Sequence, residues 1–208
     1  MDVRVTYDSI PRIADIGRVW GIFDMAKEVE IKFRVSDEQS LARDLRRAGF
    51  NQITPSTHEM NVLYDLPRQK LRKRGELLRL RQYGDKWVLT HKAKSMAGRH
   101  KVRVERETAI ENGKQMDSIL RALGFAPTFR YEKYRAEWSD GKGHVVVDKT
   151  PIGNFGEIEG PARWIDRTAK ALGILPADYI TQTYAPMFFE WKRRTRSPAM
   201  EMTFTAVK

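Results

Sequence analysis

Segment after segment of this chain places ionised side chains on one face and apolar side chains on the other. Residues 28–35 alternate Glu28, Glu30 and Lys32 with Val29, Ile31 and Phe33, and a period of two marks a strand. Residues 77–82 set Arg79 and Arg81 against Leu78 and Leu80, and residues 86–94 set Val88, Thr90 and Lys92 against Trp87 and Leu89. After an Ala97-Gly98 turn, residues 100–108 set Arg103, Glu105 and Glu107 against Val102 and Val104. Residues 130–138 carry Lys133, Arg135 and Glu137 on one face, and 145–148 and 155–159 complete the series with Asp148, Glu157 and Glu159. An ordinary half-buried strand shows water mixed polar residues, whereas here the polar face is ionic strand after strand.

The apolar faces need cover, and four helices are expected to supply it. Ser36 caps the first, with Gln39 three residues on, Leu41, Leu45 and Ala48 as its stripe and Gly49 as its stop. The second covers about 112–123, with Met116, Ile119, Leu120 and Leu123 inward and Gly124 ending it. The third opens at Gly160-Pro161 and ends at Gly173, and a fourth covers about 177–195. Residues 52–66 read as extended and 68–74 as a basic loop before a turn at Gly75. The three Gly-terminated helix ends resemble one another, as amphipathic helices stopping at glycine do without any repeat.

Two architectures satisfy this pattern. One is an open antiparallel sheet, helices on one face and a solvated ionic face on the other. The other is a closed barrel with helices outside and a charged lumen. A dry lumen of ions is costly, because buried charges need partners. A lumen built for a polyanion and its divalent cations has a use for both signs: Arg and Lys for phosphate oxygens, carboxylates for hard cations. Acidic pairs lie on the first and last strands of the series, and basic pairs lie between them.

The chain has 208 residues, enough for one large domain or two small ones. With 41% hydrophobic residues it is no disordered polymer, and no apolar run is long enough for a membrane helix. Zero Cys exclude disulfides, thiolate nucleophiles and Cys-based metal sites, and fit a reducing, cytoplasmic setting. The net charge of +11 favours anionic partners. The basic runs 68–74 and 192–196 read as solvated surface, so nucleic acid is disfavoured as a partner, and so is a membrane. The four His show no metal-ligand spacing, and no P-loop signature is present. Residues 1–24 carry no signal peptide and read as an N-terminal extension, an over-called start before Met25, or a short docked helix. Residues 25–196 form the expected domain, and 197–208 a tail with little pattern.

Taken in order, the Glu28-Val29-Glu30-Ile31-Lys32 strand, Leu78-Arg79-Leu80-Arg81, Leu89-Thr90-His91-Lys92, Arg103-Val104-Glu105-Arg106-Glu107, Glu132-Lys133-Tyr134-Arg135 and the run from Asp148 through Pro151, Gly153, Phe155 and Glu157-Ile158-Glu159-Gly160 closely resemble the CYTH domain, the triphosphate tunnel metalloenzyme superfamily. The resemblance covers roughly 26–190, and the last segment is most similar to the class IV adenylyl cyclase branch. It implies an α+β fold: an eight-stranded antiparallel barrel with helices outside and a triphosphate along the lumen.

On that resemblance Glu28 and Glu30 are metal-linked carboxylates, and Glu157 and Glu159, with Asp148, form the primary site for Mg²⁺ or Mn²⁺. Arg79, Arg81, Lys92, Lys133 and Arg135 form a phosphate cradle that Arg103 can join. Lys32 contacts a terminal phosphate or the attacking water. Glu105 and Glu107 either ligate a second metal or orient the arginines. Tyr64 and Asp65 receive no role. The implied activity is metal-dependent hydrolysis of ATP, thiamine triphosphate or inorganic triphosphate. The alternatives are a class IV adenylyl cyclase releasing cyclic AMP and pyrophosphate, and a non-enzymatic polyphosphate- or RNA-binding module. A homodimer is compatible with this reading.

Overall fold

The computed structural model describes residues 27–96 and 98–208, and within them eight antiparallel strands close on themselves. The expectations for residues 1–24 and for Ala97 lie outside the described residues. The strands are β1 (Lys27–Val35), β2 (Asn51–Asp65), β3 (Leu77–Tyr83), β4 (Lys86–Lys92), β5 (Lys101–Ile110), β6 (Ala126–Ser139), β7 (His144–Thr150) and β8 (Gly153–Glu159). Around the barrel they run β1-β5-β4-β3-β2-β6-β7-β8 and return to β1. The helices are α1 (Glu38–Arg47), α2 (Lys70–Lys73), α3 (Gly113–Ala122), α4 (Ala162–Ala171) and α5 (Tyr184–Thr195). Of the two architectures open to the sequence, the closed barrel is the one adopted. No helix among the described residues is long and apolar enough to cross a membrane.

Closure turns the period-two pattern into an inside and an outside. The apolar faces point outward, under the helices. Trp164, Ile165 and Ala169 of α4 and Leu45 of α1 pack on Ile31, Phe33, Val145, Val147 and Ile158. Leu120 of α3 packs with Tyr64 and Leu80. Each such side chain taken fully out of water contributes about 1.5–3 kcal/mol, so these helices hold the barrel from outside. Phe33 on β1 faces Gly156 on β8, where an added Cβ would stand 2.1 Å from the Phe33 ring. Gly156→Ala is therefore expected to destabilise by about 1–3 kcal/mol, read as a lower urea midpoint with unchanged slope.

Several local expectations are corrected. Asp37, not Ser36, caps α1, its carboxylate accepting from the Gln39 and Ser40 amides. The basic loop contains the single turn α2, whose Leu71 and Arg72 amides donate to Asp65, giving that residue a capping role. Tyr64 instead hydrogen-bonds Asp117 of α3. Ile119 and Leu123 are exposed rather than inward. The fourth expected helix starts at Tyr184 because 176–178 is a 3₁₀ turn and Ile180 bridges to Lys32 of β1. The tail is docked: Met202 is fully buried and exchanges backbone hydrogen bonds with Arg130 and Glu132 of β6. The resembling helix ends share one physical cause, since Gly49, Gly124 and Gly173 all take positive φ just past their helices.

Candidate active site

Register decides which lumen charges face each other. Across neighbouring strands Lys32 stands opposite Glu157, Lys92 opposite Glu105, Glu59 opposite Lys133 and Arg135 opposite Asp148. Glu28 stands opposite Arg103, and Glu30 opposite Lys101. Directly opposed unlike charges stabilise a sheet, and like charges oppose it. Among the described lumen registers one pair breaks the rule: Glu30 on β1 also stands opposite Glu159 on β8.

Six of the acids fall into two groups. Asp148 is fully buried and accepts four hydrogen bonds: from Lys133 Nζ at 2.8 Å, from Arg135 Nε and Nη2 at 2.8 Å each, and from the Tyr184 hydroxyl at 2.7 Å. Glu157 joins this group, receiving Arg135 Nη2 at 2.6 Å and Lys32 Nζ at 3.1 Å. Burial alone would raise the Glu157 carboxyl, but Lys32, Arg135 and Lys133 hold it well below the carboxylate range.

The second group is Glu28, Glu30, Glu105 and Glu159. Lys92 Nζ lies 2.8 Å from both Glu28 and Glu105, and Lys101 pairs with Glu30. Burial would raise Glu28, yet Lys92 brings it down to about 2. Glu105 goes the other way, raised by burial and by the Glu28 carboxylate beside it. Burial, then the charges of Glu28 and Glu30, push Glu159 up to about 7. Crowded like charges in a half-desolvated place are what a cation relieves.

The bases divide too. Arg79 and Arg81 reach Glu107 at 3.2 and 3.6 Å, and Thr90 donates to the same carboxylate. Arg103 is not brought into the cradle. Its guanidinium donates to the backbone carbonyls of Ala93 and Gly75, tying two loop ends to β5. Asp148, expected in a metal trio with Glu157 and Glu159, here accepts three hydrogen bonds at Oδ2 and one at Oδ1 from Lys133, Arg135 and Tyr184.

Four lumen residues escaped the sequence reading: Glu59 and Asn61 on β2, Lys101 on β5, and Tyr184. Glu59 and Asn61 share the inward parity of their strand, but a fifteen-residue strand with register shifts hides that period. Tyr184 opens α5, which packs on Phe129, Tyr131 and Phe155. Its ring lies under Lys32, with Nζ 4.0 Å from the centroid. Nothing in the α5 sequence announces that contact, which joins residues 152 positions apart in the chain.

Whether these residues suit a divalent cation turns on donor type and on arrangement. Carboxylate oxygens are the ligands Mg²⁺ and Mn²⁺ favour, and Glu159 has no ion-pair partner among the described residues and stands opposite a second acid. In this structure no three acidic or histidine side chains among the described residues converge on one point. Glu28 and Glu30 would have to turn from their lysines. The donor set fits a hard cation; the side-chain positions are those of a network of ion pairs.

Comparison with known proteins agrees with the architecture. The CYTH domain family model matches residues 26–184. A Methanocaldococcus jannaschii protein named "putative adenylate cyclase" is 27% identical over 146 residues, 70% of this chain and 83% of that one. Among solved structures, a Vibrio parahaemolyticus protein also described as a "putative adenylate cyclase" superposes with a TM-score of 0.69 at 20% identity, over 78% of this chain and 98% of that one. A Hippeastrum protein described as a "putative adenylyl cyclase" with a dominant triphosphatase activity gives 0.57 at 20% identity, over 78% and 95%. At those identities the structures bear on the fold alone. The family model spans most of the chain, and the chain belongs to the CYTH domain family.

Proposed function

We propose that the barrel binds a triphosphate with a divalent cation and hydrolyses it. The observation that carries this reading is the register: unlike charges face each other around the lumen except at Glu30 and Glu159. A pure anion-binding tunnel has no use for opposed acids.

On this reading Glu28, Glu30 and Glu159 would hold Mg²⁺ or Mn²⁺. Such an ion supplies charge neutralisation on the phosphate chain and a more acidic bound water. The protein's own part is positioning and electrostatics. Arg79, Arg81, Lys133 and Arg135 present guanidinium and ammonium groups to phosphate oxygens, Arg in a bidentate fork and Lys as a point charge. Asp148, Glu157 and Glu107 keep these cations oriented before ligand arrives, so little reorganisation is left for the reaction. Lys32, fixed between Glu157 and the Tyr184 ring, is placed to stabilise charge developing on a leaving or attacked phosphate.

The second reading is adenylyl cyclase, favoured by the archaeal relative's name. There the ribose 3′-hydroxyl attacks the α-phosphate and pyrophosphate leaves. It requires a nucleoside subsite in addition to everything above; hydrolysis requires only the charged lumen. The deciding experiment incubates the protein with ATP, thiamine triphosphate and inorganic triphosphate, each with Mg²⁺ or Mn²⁺, and resolves the products. Orthophosphate without cyclic AMP supports hydrolysis. Cyclic AMP with pyrophosphate establishes the cyclase. Anion binding that survives EDTA with no turnover establishes a binding module.

Arg81→Ala is expected to raise KM for the preferred triphosphate by about 10–100-fold, the size of a lost charge-assisted bidentate contact, with a smaller change in kcat. An unchanged KM removes Arg81 from the cradle.

A further inference from the structure

Glu59 is an acid in the wrong company for a phosphate site. It lies on β2, fully buried, opposite Lys133. Lys133 Nζ is 3.6 Å from one of its oxygens and Arg135 Nε is 3.8 Å from the other. Asn61, two residues on and on the same face, donates to Oε1 at 2.9 Å. Four buried polar atoms here have no hydrogen-bond partner: Glu59 Oε2, Asn61 Oδ1, and the Nε atoms of Arg79 and Arg81. Burial would raise the Glu59 carboxyl, but Lys133, Arg135, Arg81 and Arg79 together hold it far below the carboxylate range, so it is a charge.

The proposed hydrolysis gives this charge no task. It faces the four cations assigned to the phosphate chain, and an anion entering the cradle must meet it at low dielectric. The repulsion scales with the charge the anion brings. A bare triphosphate carries its full charge; a triphosphate complexed with a divalent cation carries two units less.

We infer that Glu59 is a specificity-determining residue that makes the cradle reject bare polyphosphate and accept its divalent-metal complex. The inference rests on the tunnel being a triphosphate site, as proposed above. It concerns discrimination between two forms of one ligand, not catalysis.

The test is calorimetric titration of inorganic triphosphate into the protein, once with EDTA and once with Mg²⁺, for wild type and E59Q. Wild type is expected to bind the Mg²⁺ complex at least about 10-fold more tightly than the bare anion. In E59Q the affinity for bare triphosphate is expected to rise by about 10-fold or more, a gain of one power of ten for each lost 1.4 kcal/mol of repulsion. Affinity for the Mg²⁺ complex is expected to change less, so the ratio of the two collapses. The double variant E59Q/N61D returns the negative charge to the same face and is expected to restore the ratio.

An equal shift in both titrations, or weaker binding of the bare anion, overturns the inference and leaves Glu59 a packing partner of Lys133. If wild type binds triphosphate under neither condition, the site reading itself fails and the inference falls with it. Should E59Q not fold, N61D alone carries the test. A second acid beside Glu59 is expected to widen the ratio, and an unchanged ratio overturns the inference.

Discussion

Glu159→Gln is expected to abolish metal-dependent turnover, by at least about 100-fold, while making the metal-free protein more stable at alkaline pH. Both effects come from one position. Glu159 stands opposite Glu30, and burial with the Glu28 and Glu30 charges raises it from 4.5 to about 7. Between those values the folded chain keeps a proton that the unfolded chain has released. Its contribution to stability is therefore present in acid and is lost as pH rises from about 4.5 through about 7. At about 1.4 kcal/mol per unit, a rise from 4.5 to about 7 costs the metal-free fold on the order of 3–4 kcal/mol above neutrality. Gln carries no charge and avoids that cost. Thermal unfolding at pH 8 in EDTA should show the variant melting several degrees above wild type, and at pH 5 the gap should narrow. Added Mg²⁺ should stabilise wild type and leave the variant unmoved. A variant that melts at or below the wild-type temperature at pH 8 would show that Glu159 is ion-paired in solution. Wild-type turnover in it would remove Glu159 from the metal site.

Asp148→Asn is expected to act in the opposite sense, lowering stability by about 3–5 kcal/mol, because it removes the nearest counter-charge of buried Lys133 and Arg135 and leaves only Glu59 and Glu157 to balance them. Asp148 is fully buried with both oxygens hydrogen-bonded, and Lys133 is 1% exposed, so water cannot take over. For a domain of this size the melting temperature should fall by about 10 °C. Turnover should fall as well, through KM, since the cradle loses its fixed geometry. Mn²⁺ affinity, measured by titration below the new melting temperature, should stay close to wild type. Intact stability with lost Mn²⁺ affinity would instead make Asp148 a metal ligand and its bonds to Lys133 and Arg135 incidental.

These two acids show where sequence reading stops. Both stand on strands whose period is plain, and the sequence places both on an ionic face. The alternation of Glu28, Glu30 and Lys32, or of Arg79 and Arg81, is local: a side chain's face depends only on its parity along the strand. So is the stop of α1 at Gly49, since positive φ is a property of one residue. Ile119 and Leu123 are exposed although helical spacing puts them on the apolar stripe of α3, because spacing does not say how far the neighbouring strand reaches under it.

The sequence by itself therefore determined the strands, the ionic face and the identity of most of the charges on it, because alternation is written in neighbouring residues. Only the tertiary structure decided that the sheet closes, that Asp148 is filled by Lys133, Arg135 and Tyr184, that Arg103 is spent on backbone, and that Glu30 meets Glu159. Those outcomes depend on which strands become neighbours and in what register. That is fixed by the whole barrel's closure and by helices packed from outside, and no segment of the chain carries it alone.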